Sequence, residues 1–88
     1  MIVEEFEKLF HEEEDINWDG DNTFQGLLII AKYINPNDSI IIVAAKHDVV
    51  CSVEVKELCD AGITKEDVIA LRKLNWSIEN EHYLMCFV

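Results

Sequence analysis

The fold is decided by the C-terminal stretch Trp76-Ser-Ile-Glu-Asn-Glu-His-Tyr-Leu-Met-Cys-Phe-Val88. Apolar residues dominate both ends of this stretch, and the polar turn Glu79-Asn80-Glu81 separates them. A polar turn between two short apolar runs predicts a β-hairpin, with strands over 76–78 and 82–88. Because the strand pattern continues to Val88, we expect the C-terminus to be part of the folded core.

The segment before this hairpin predicts two helices with clear boundaries. Thr64-Lys-Glu-Asp67 resembles a capping box, with aspartate where glutamate or glutamine is usual, and it opens an amphipathic helix that includes Leu74. Upstream, Ser52 is expected to cap a shorter helix that runs to Asp60. Gly62 is expected to close that helix in the left-handed conformation.

A second hairpin is predicted further upstream. Ser39–Ala45 is short, β-branched and apolar on both faces, which favours a strand buried in the middle of a sheet. Lys46-His47-Asp48 is read as a tight reversal into a second strand that starts with Val49-Val50-Cys51. Residues 39–45 are therefore expected to form the central strand.

Two amphipathic helices are predicted at the N-terminal end. Apolar residues recur every three or four positions over 2–13, with acidic residues between them. The same spacing begins again after Asn22 or Thr23, either of which suits a helix cap, and it stops at Asn35-Pro36. The whole chain, 1–88, thus predicts one α+β domain in the order ααββααββ. A small, mostly antiparallel sheet of about four strands in two hairpins would have helices packed on one face.

Composition predicts a folded protein of the cytoplasm. Half of the residues are apolar and only one is proline, whereas disordered chains are poor in large apolar groups. The longest apolar runs are far shorter than the roughly 20 residues that span a bilayer. The first residues carry glutamates where a secretory signal would carry lysine or arginine. Cys51, Cys59 and Cys86 are expected to be reduced core thiols.

The net charge of −11 is concentrated at one end of the chain. Residues 1–22 carry a net charge of −8 and residues 23–88 a net charge of −3. Such a field repels nucleic acid and membrane headgroups and attracts a basic protein surface, although negative charge also keeps small proteins soluble. The acidic residues of the first segment are Glu4, Glu5, Glu7, Glu12, Glu13, Glu14, Asp15, Asp19 and Asp21.

Residues 15–26 contain the opening half of an EF-hand loop. Asp15, Asn17 and Asp19, followed by Gly20, match positions 1, 3, 5 and 6 of that pattern. Position 12, however, is Gly26 where a bidentate glutamate is needed. The favoured interpretation is therefore a polar turn that caps the second helix, and the weak metal candidates are Asp15, Asn17, Asp19 and Asp21.

Two His-x3-Cys spacings, His47 with Cys51 and His82 with Cys86, suggest zinc ligands. Residues four apart in a strand lie about 13 Å from each other, so neither pair can chelate alone. Core cysteines are the favoured interpretation. The sequence contains no known catalytic motif, and Cys51, His47 and Asp48 are only weak candidates for a catalytic Cys/His/Asp arrangement. We therefore expect a protein that is not an enzyme and uses no cofactor.

The second half of the chain resembles small acidic open reading frames of phages and mobile elements. The resemblance lies in the His47-Asp48 turn before a short helix, in Leu71-Arg-Lys-Leu-Asn-Trp76 at a helix end, and in a last strand that closes in Phe87-Val88. It covers about half the chain, from Ala44 onward, and implies a biological setting, with no functional residues to carry over. By analogy, some small acidic phage proteins inhibit host defence by mimicking nucleic acid.

Three hypotheses follow from these observations. The first is a non-enzymatic phage-type interaction protein whose nine N-terminal acidic residues bind a basic host protein in the host cytoplasm, without direct contact with nucleic acid or membrane. The second is a small calcium- or ligand-binding module at residues 15–26. The third is a structural homo-oligomer, in which the terminal strand presents an open edge for pairing.

Overall fold

A computed structural model describes residues 1–12, 14–79 and 82–87. Within these ranges the chain forms four helices and a four-stranded sheet in the predicted order, and the α+β fold is confirmed. The elements are α1 Val3–His11, α2 Asn22–Ala31, β1 Ala44–Lys46, β2 Val49–Glu54, α3 Val55–Asp60, α4 Lys65–Lys73, β3 Trp76–Glu79 and β4 Tyr83–Phe87. Within the described ranges, no helix is long and apolar enough to cross a membrane.

The sheet is antiparallel, with the strand order β1-β2-β4-β3. Both predicted hairpins form, and Lys46 pairs with Val49 across the two-residue turn of the first. In the second, Trp76 pairs with Cys86. The prediction for residues 80, 81 and 88 lies outside the described residues.

The helices cover one face of this sheet. Side chains alternate along a strand, so Leu84 and Cys86 point to the helices and are buried, whereas Met85 between them points away and is half-buried. Trp76 lies beside Cys86 on the covered face and is fully buried. The core thus lies between one sheet face and the apolar sides of the four helices.

The prediction that residues 39–45 form the central strand is wrong. Only Ala44–Lys46 is a strand, it lies at the edge of the sheet, and all three of its residues are exposed. The centre is occupied by β2 and β4, because β4 pairs with β2 on one side and with β3 on the other. A short apolar run is compatible with a buried strand, but its place in the sheet depends on pairings with distant segments.

Helix boundaries are confirmed in part. Thr64 accepts a hydrogen bond from the backbone of Asp67 at 3.2 Å, and Gly62 follows α3 with φ +87°, as predicted. The predicted caps of the other two helices are wrong: Asp21, one residue before Asn22, caps α2, and α3 begins after Glu54.

Ser52 does not cap α3 because it lies within β2. A register irregularity in β2 between Cys51 and Glu54 leaves Ser52 and Val53 both buried. The Ser52 hydroxyl donates a hydrogen bond to the backbone carbonyl of Ile41. This bond satisfies the buried hydroxyl and ties the segment before β1 to the sheet.

Candidate functional site

The acidic residues of α1 are dispersed around its solvent side. Phe6, Leu9 and Phe10 are buried, and Glu4 and Glu5 are exposed in the first turn. At about 100° per residue, Lys8 and His11 fall between the glutamates on the outer face. The outer face of α1 is therefore mixed in charge, with Lys8 and His11 beside the glutamates. Glu7 is half-buried and borders a cleft of about 430 Å³ beside Arg72.

The highest density of negative charge lies in residues 12–21, which we call the acidic loop. It carries Glu12, Glu13, Glu14, Asp15, Asp19 and Asp21 and no basic residue. Glu12, Asp15, Asp19 and Asp21 are exposed, Glu14 is half-buried, and Glu13 lies outside the described residues. The structure thus places five of the nine predicted contact residues in one loop, whereas Glu4 and Glu5 lie in the first turn of α1.

Two hydrogen bonds attach the acidic loop, and the end of α1 that precedes it, to the end of α4. The backbone N–H of Asn17 donates to the carbonyl of Lys73 at 2.8 Å, in the last turn of α4. Just before the loop, the guanidinium of Arg72 donates to the carbonyl of Phe10 at 3.1 Å. Both bonds satisfy helix-terminal carbonyls that have no partner inside their own helix. The loop is therefore attached to the helical layer at Asn17, and the helix that leads into it is attached at Phe10.

Residues 15–21 form the predicted polar turn that caps α2, and residues 22–26 are the start of that helix. The side chain of Asn17 accepts a hydrogen bond from the backbone of Asp19 at 3.0 Å, and Asp21 accepts one from Phe24 at 3.0 Å as the cap of α2. Gly20 takes φ +87°, as the sharp bend requires. Two of the four weak metal candidates thus bond to the backbone of their own turn, and calcium binding stays a prediction.

Gly26 has a structural role that the match of residues 15–26 to the EF-hand pattern did not indicate. A Cβ atom at this position would lie 2.0 Å from Nε1 of Trp76. Only glycine lets α2 approach the indole this closely, and the indole N–H donates to the carbonyl of Asn22 at 3.1 Å. The sequence alone gave no signal that these two positions meet.

The His-x3-Cys pairs lie in the sheet and its turns. His47 is exposed in the first hairpin turn, and His82 is exposed just before β4. Cys86 is buried, and Cys51 donates a hydrogen bond to the carboxylate of Glu79 at 2.9 Å. Among residues 1–12, 14–79 and 82–87, no group of three or more His, Cys, Asp or Glu side chains is placed to hold a metal ion. All three cysteines are free thiols, and Cys59 and Cys86 lie in the core as predicted, whereas Cys51 is only half-buried and lies outside the core.

No described residue of the acidic loop takes part in a salt bridge. In the part of the chain that the structure describes, the two salt bridges join Lys32 to Asp67 and Lys56 to Asp60. Both lie outside residues 1–22. The described carboxylates of the acidic loop therefore meet solvent without a cation from this chain within salt-bridge distance.

Asp67 is the centre of a polar cluster between α2 and α4. It accepts hydrogen bonds from the hydroxyl of Tyr33 and the ammonium of Lys32, and the same Tyr33 hydroxyl accepts one from the backbone of Thr64. Burial raises the pKa of the Asp67 carboxyl, but the bonds from Lys32 and Tyr33 outweigh burial, so the pKa lies below its ordinary value. This cluster joins the second and fourth helices.

Sequence reasoning missed an apolar groove beside the acidic loop. The groove has a volume of about 620 Å³, and Asp21 borders it. The signal in the sequence was the composition of α2, which has no charged residue over its ten positions. We define the apolar groove by its six apolar side chains, Trp18, Phe24, Leu27, Ile42, Val50 and Phe87.

The expected open edge of the terminal strand is not observed. β4 lies inside the sheet, and the edges are β1 and β3. Self-association itself stays a prediction. In comparisons with protein-family models, with curated proteins and with solved structures, nothing matched this chain.

Proposed function

We propose that this protein is a non-enzymatic, phage-type interaction protein that binds a basic surface of a host protein. The partner is a host defence or nucleic-acid-handling protein, and the carboxylates stand in for phosphates in its Lys- and Arg-lined groove. The acidic loop supplies the main contact, and Glu4, Glu5 and Glu7 of α1 extend it.

The observation that carries this proposal is the geometry of the acidic loop. Its described carboxylates have no salt-bridge partner in the described part of the chain, and its backbone is tied to Lys73 at Asn17. A carboxylate without an internal cation keeps its full attraction for an external one. A loop that is already attached to the helical layer also loses less conformational entropy on binding than a free segment does.

The proposal is tested by capture from host lysate with a pair of charge-reversed variants. One variant carries Glu12→Lys and Glu14→Lys, and the control carries Glu57→Lys and Glu66→Lys on α3 and α4. Each substitution adds +2, so both variants change the net charge from −11 to −7. Glu57 and Glu66 are exposed, and neither belongs to the acidic loop.

A single basic protein captured by the wild type should be lost at high salt and with the loop variant, and retained by the control. We expect the loop variant to lower the affinity about tenfold or more, since two attractive contacts become repulsive. Equal losses in both variants would contradict the proposal, because they would show that only net charge matters. Capture that is indifferent to salt would contradict it as well.

A further inference from the structure

Helix α2 is more apolar than its position in the structure explains. A helix that is hydrophobic all round is ordinarily buried, and residues 26–31 of α2 are all apolar. In α2, Gly26 and Ile30 are buried against the core, but Phe24 and Leu28, one turn apart on the outer side, are 58 % and 54 % exposed. The outer side of α2 therefore has the composition of a covered surface.

The exposed side of α2 continues across the molecule through the apolar groove. Phe87 of β4 is 58 % exposed, Ile42 before β1 is 47 % exposed, and Trp18 of the acidic loop is 70 % exposed. Single exposed apolar side chains are common on protein surfaces, whereas several large ones that line one concavity are typical of an interaction site. Aromatic side chains also contribute strongly to binding when a partner covers them.

The charge around the groove indicates what covers it. Asp21 borders the groove, and Trp18, one of its lining residues, lies in the acidic loop next to Asp19. A second copy of this chain would bring another net charge of −11 and another acidic loop to this surface. A complementary partner has instead large apolar side chains to fill the groove and cationic side chains to face its rim.

We propose that the apolar groove and the acidic loop form one composite site for an amphipathic basic segment of a protein partner. The apolar side of that segment contacts Phe24, Ile42 and Phe87, and its Lys or Arg side chains meet Asp19 and Asp21. This inference rests on the proposed function and deepens it. It predicts that affinity has an apolar part that high salt does not remove, whereas a phosphate-like surface alone would lose nearly all affinity in salt.

The test uses three synthetic peptides with the full chain. The first is a leucine–lysine model peptide that forms an amphipathic helix; the second replaces its leucines by serine, and the third replaces its lysines by glutamate. Binding is followed by the fluorescence of Trp18, in protein that carries Trp76→Phe, and by calorimetry with the wild type. The variants are Phe24→Ala and Phe87→Ala, with Ile2→Ala, also exposed and outside the groove, as the matched control.

We expect the leucine–lysine peptide to bind at least about tenfold more tightly than the other two, and either groove variant to weaken it about tenfold while Ile2→Ala does not. Equal binding of the leucine–lysine and serine–lysine peptides would overturn this inference and leave the charge-based function standing. Tighter binding of the leucine–glutamate peptide would overturn it too. Dimerisation of the protein alone, lost in Phe24→Ala, would show that a second copy occupies the groove and would also overturn it.

If the proposed function is wrong, the two experiments give a different combination of results. If the lysate capture shows no effect specific to the acidic loop, while the leucine–lysine peptide still requires the groove, the proposed host-protein function fails and the composite site stands. A melting curve for each variant, measured by circular dichroism, shows whether the fold is retained. Because Phe24 and Phe87 are more than half exposed, we expect little change in melting temperature.

Discussion

Replacing Gly26 by alanine tests whether α2 is held against the indole of Trp76 as the structure shows. The new Cβ would lie 2.0 Å from Nε1, 2.3 Å from Cε2 and 2.7 Å from Cζ2 of that ring. Nonbonded heavy atoms normally stay about 3.5 Å apart, so either helix or ring must move by about 1.5 Å. The ring is fully buried, so its movement would disturb the residues packed around it.

The size of the effect follows from three contributions. Overpacking of a buried site costs about 1 to 3 kcal/mol. Loss of the hydrogen bond from Trp76 to Asn22 costs about 1 kcal/mol more. Alanine is favoured over glycine within a helix by about 1 kcal/mol, which offsets part of this cost. The free energy of unfolding should therefore fall by about 1 to 3 kcal/mol, and the melting temperature by roughly 4 to 24 °C.

The assay is urea unfolding followed by circular dichroism, for Gly26→Ala in the wild-type chain and in a Trp76→Phe background. Phenylalanine lacks the indole atoms that the new Cβ meets, so in that background the substitution should be neutral or slightly stabilising. A stabilising effect of Gly26→Ala in the wild-type chain would refute the packing. So would an equal destabilisation in both backgrounds, because the effect would then be independent of the indole.

Three further predictions concern the pKa shifts and the sheet. The folded pKa of Asp67 is below its ordinary value of 3.8, so its ionised form stabilises the fold above that pH and the stability is lost as the pH falls through the folded pKa. Asp67→Asn should thus lower the free energy of unfolding by about 1 to 3 kcal/mol at pH 7 and by less at pH 3, and an equal effect at both would refute the assignment. The hydrogen bond to Glu79, with burial, raises the pKa of the Cys51 thiol, so Glu79→Gln should speed its alkylation at pH 8, measured by mass spectrometry against Cys51→Ser; an unchanged rate would argue against the bond. Removal of residues 85–88 takes pairing away from both β2 and β3 and should abolish cooperative thermal unfolding, whereas an unchanged melt would contradict the sheet order.

The acidic surface was predictable from sequence in its composition but only partly in its geometry. The count of acids between residues 1 and 22 gave the sign of the field. The division into a mixed-charge α1 and a concentrated acidic loop depends on where α1 ends, and on the bond from Asn17 to Lys73. The apolar groove was not predicted at all, because its side chains come from the loop, α2, β2, β4 and the segment before β1.

The sequence by itself determined the helices and strands and their order along the chain. Apolar periodicity, the Thr64 cap and Gly62 act within a few residues, so they can be read locally. Only the tertiary structure decided that β4 lies inside the sheet and that Gly26 contacts Trp76. It also decided that, of residues 39–45, only Ala44 and Ala45 join the sheet, in an exposed edge strand. Each of these depends on the pairing of segments far apart in the chain, and the free energy of such contacts is a property of the assembled core rather than of either segment alone.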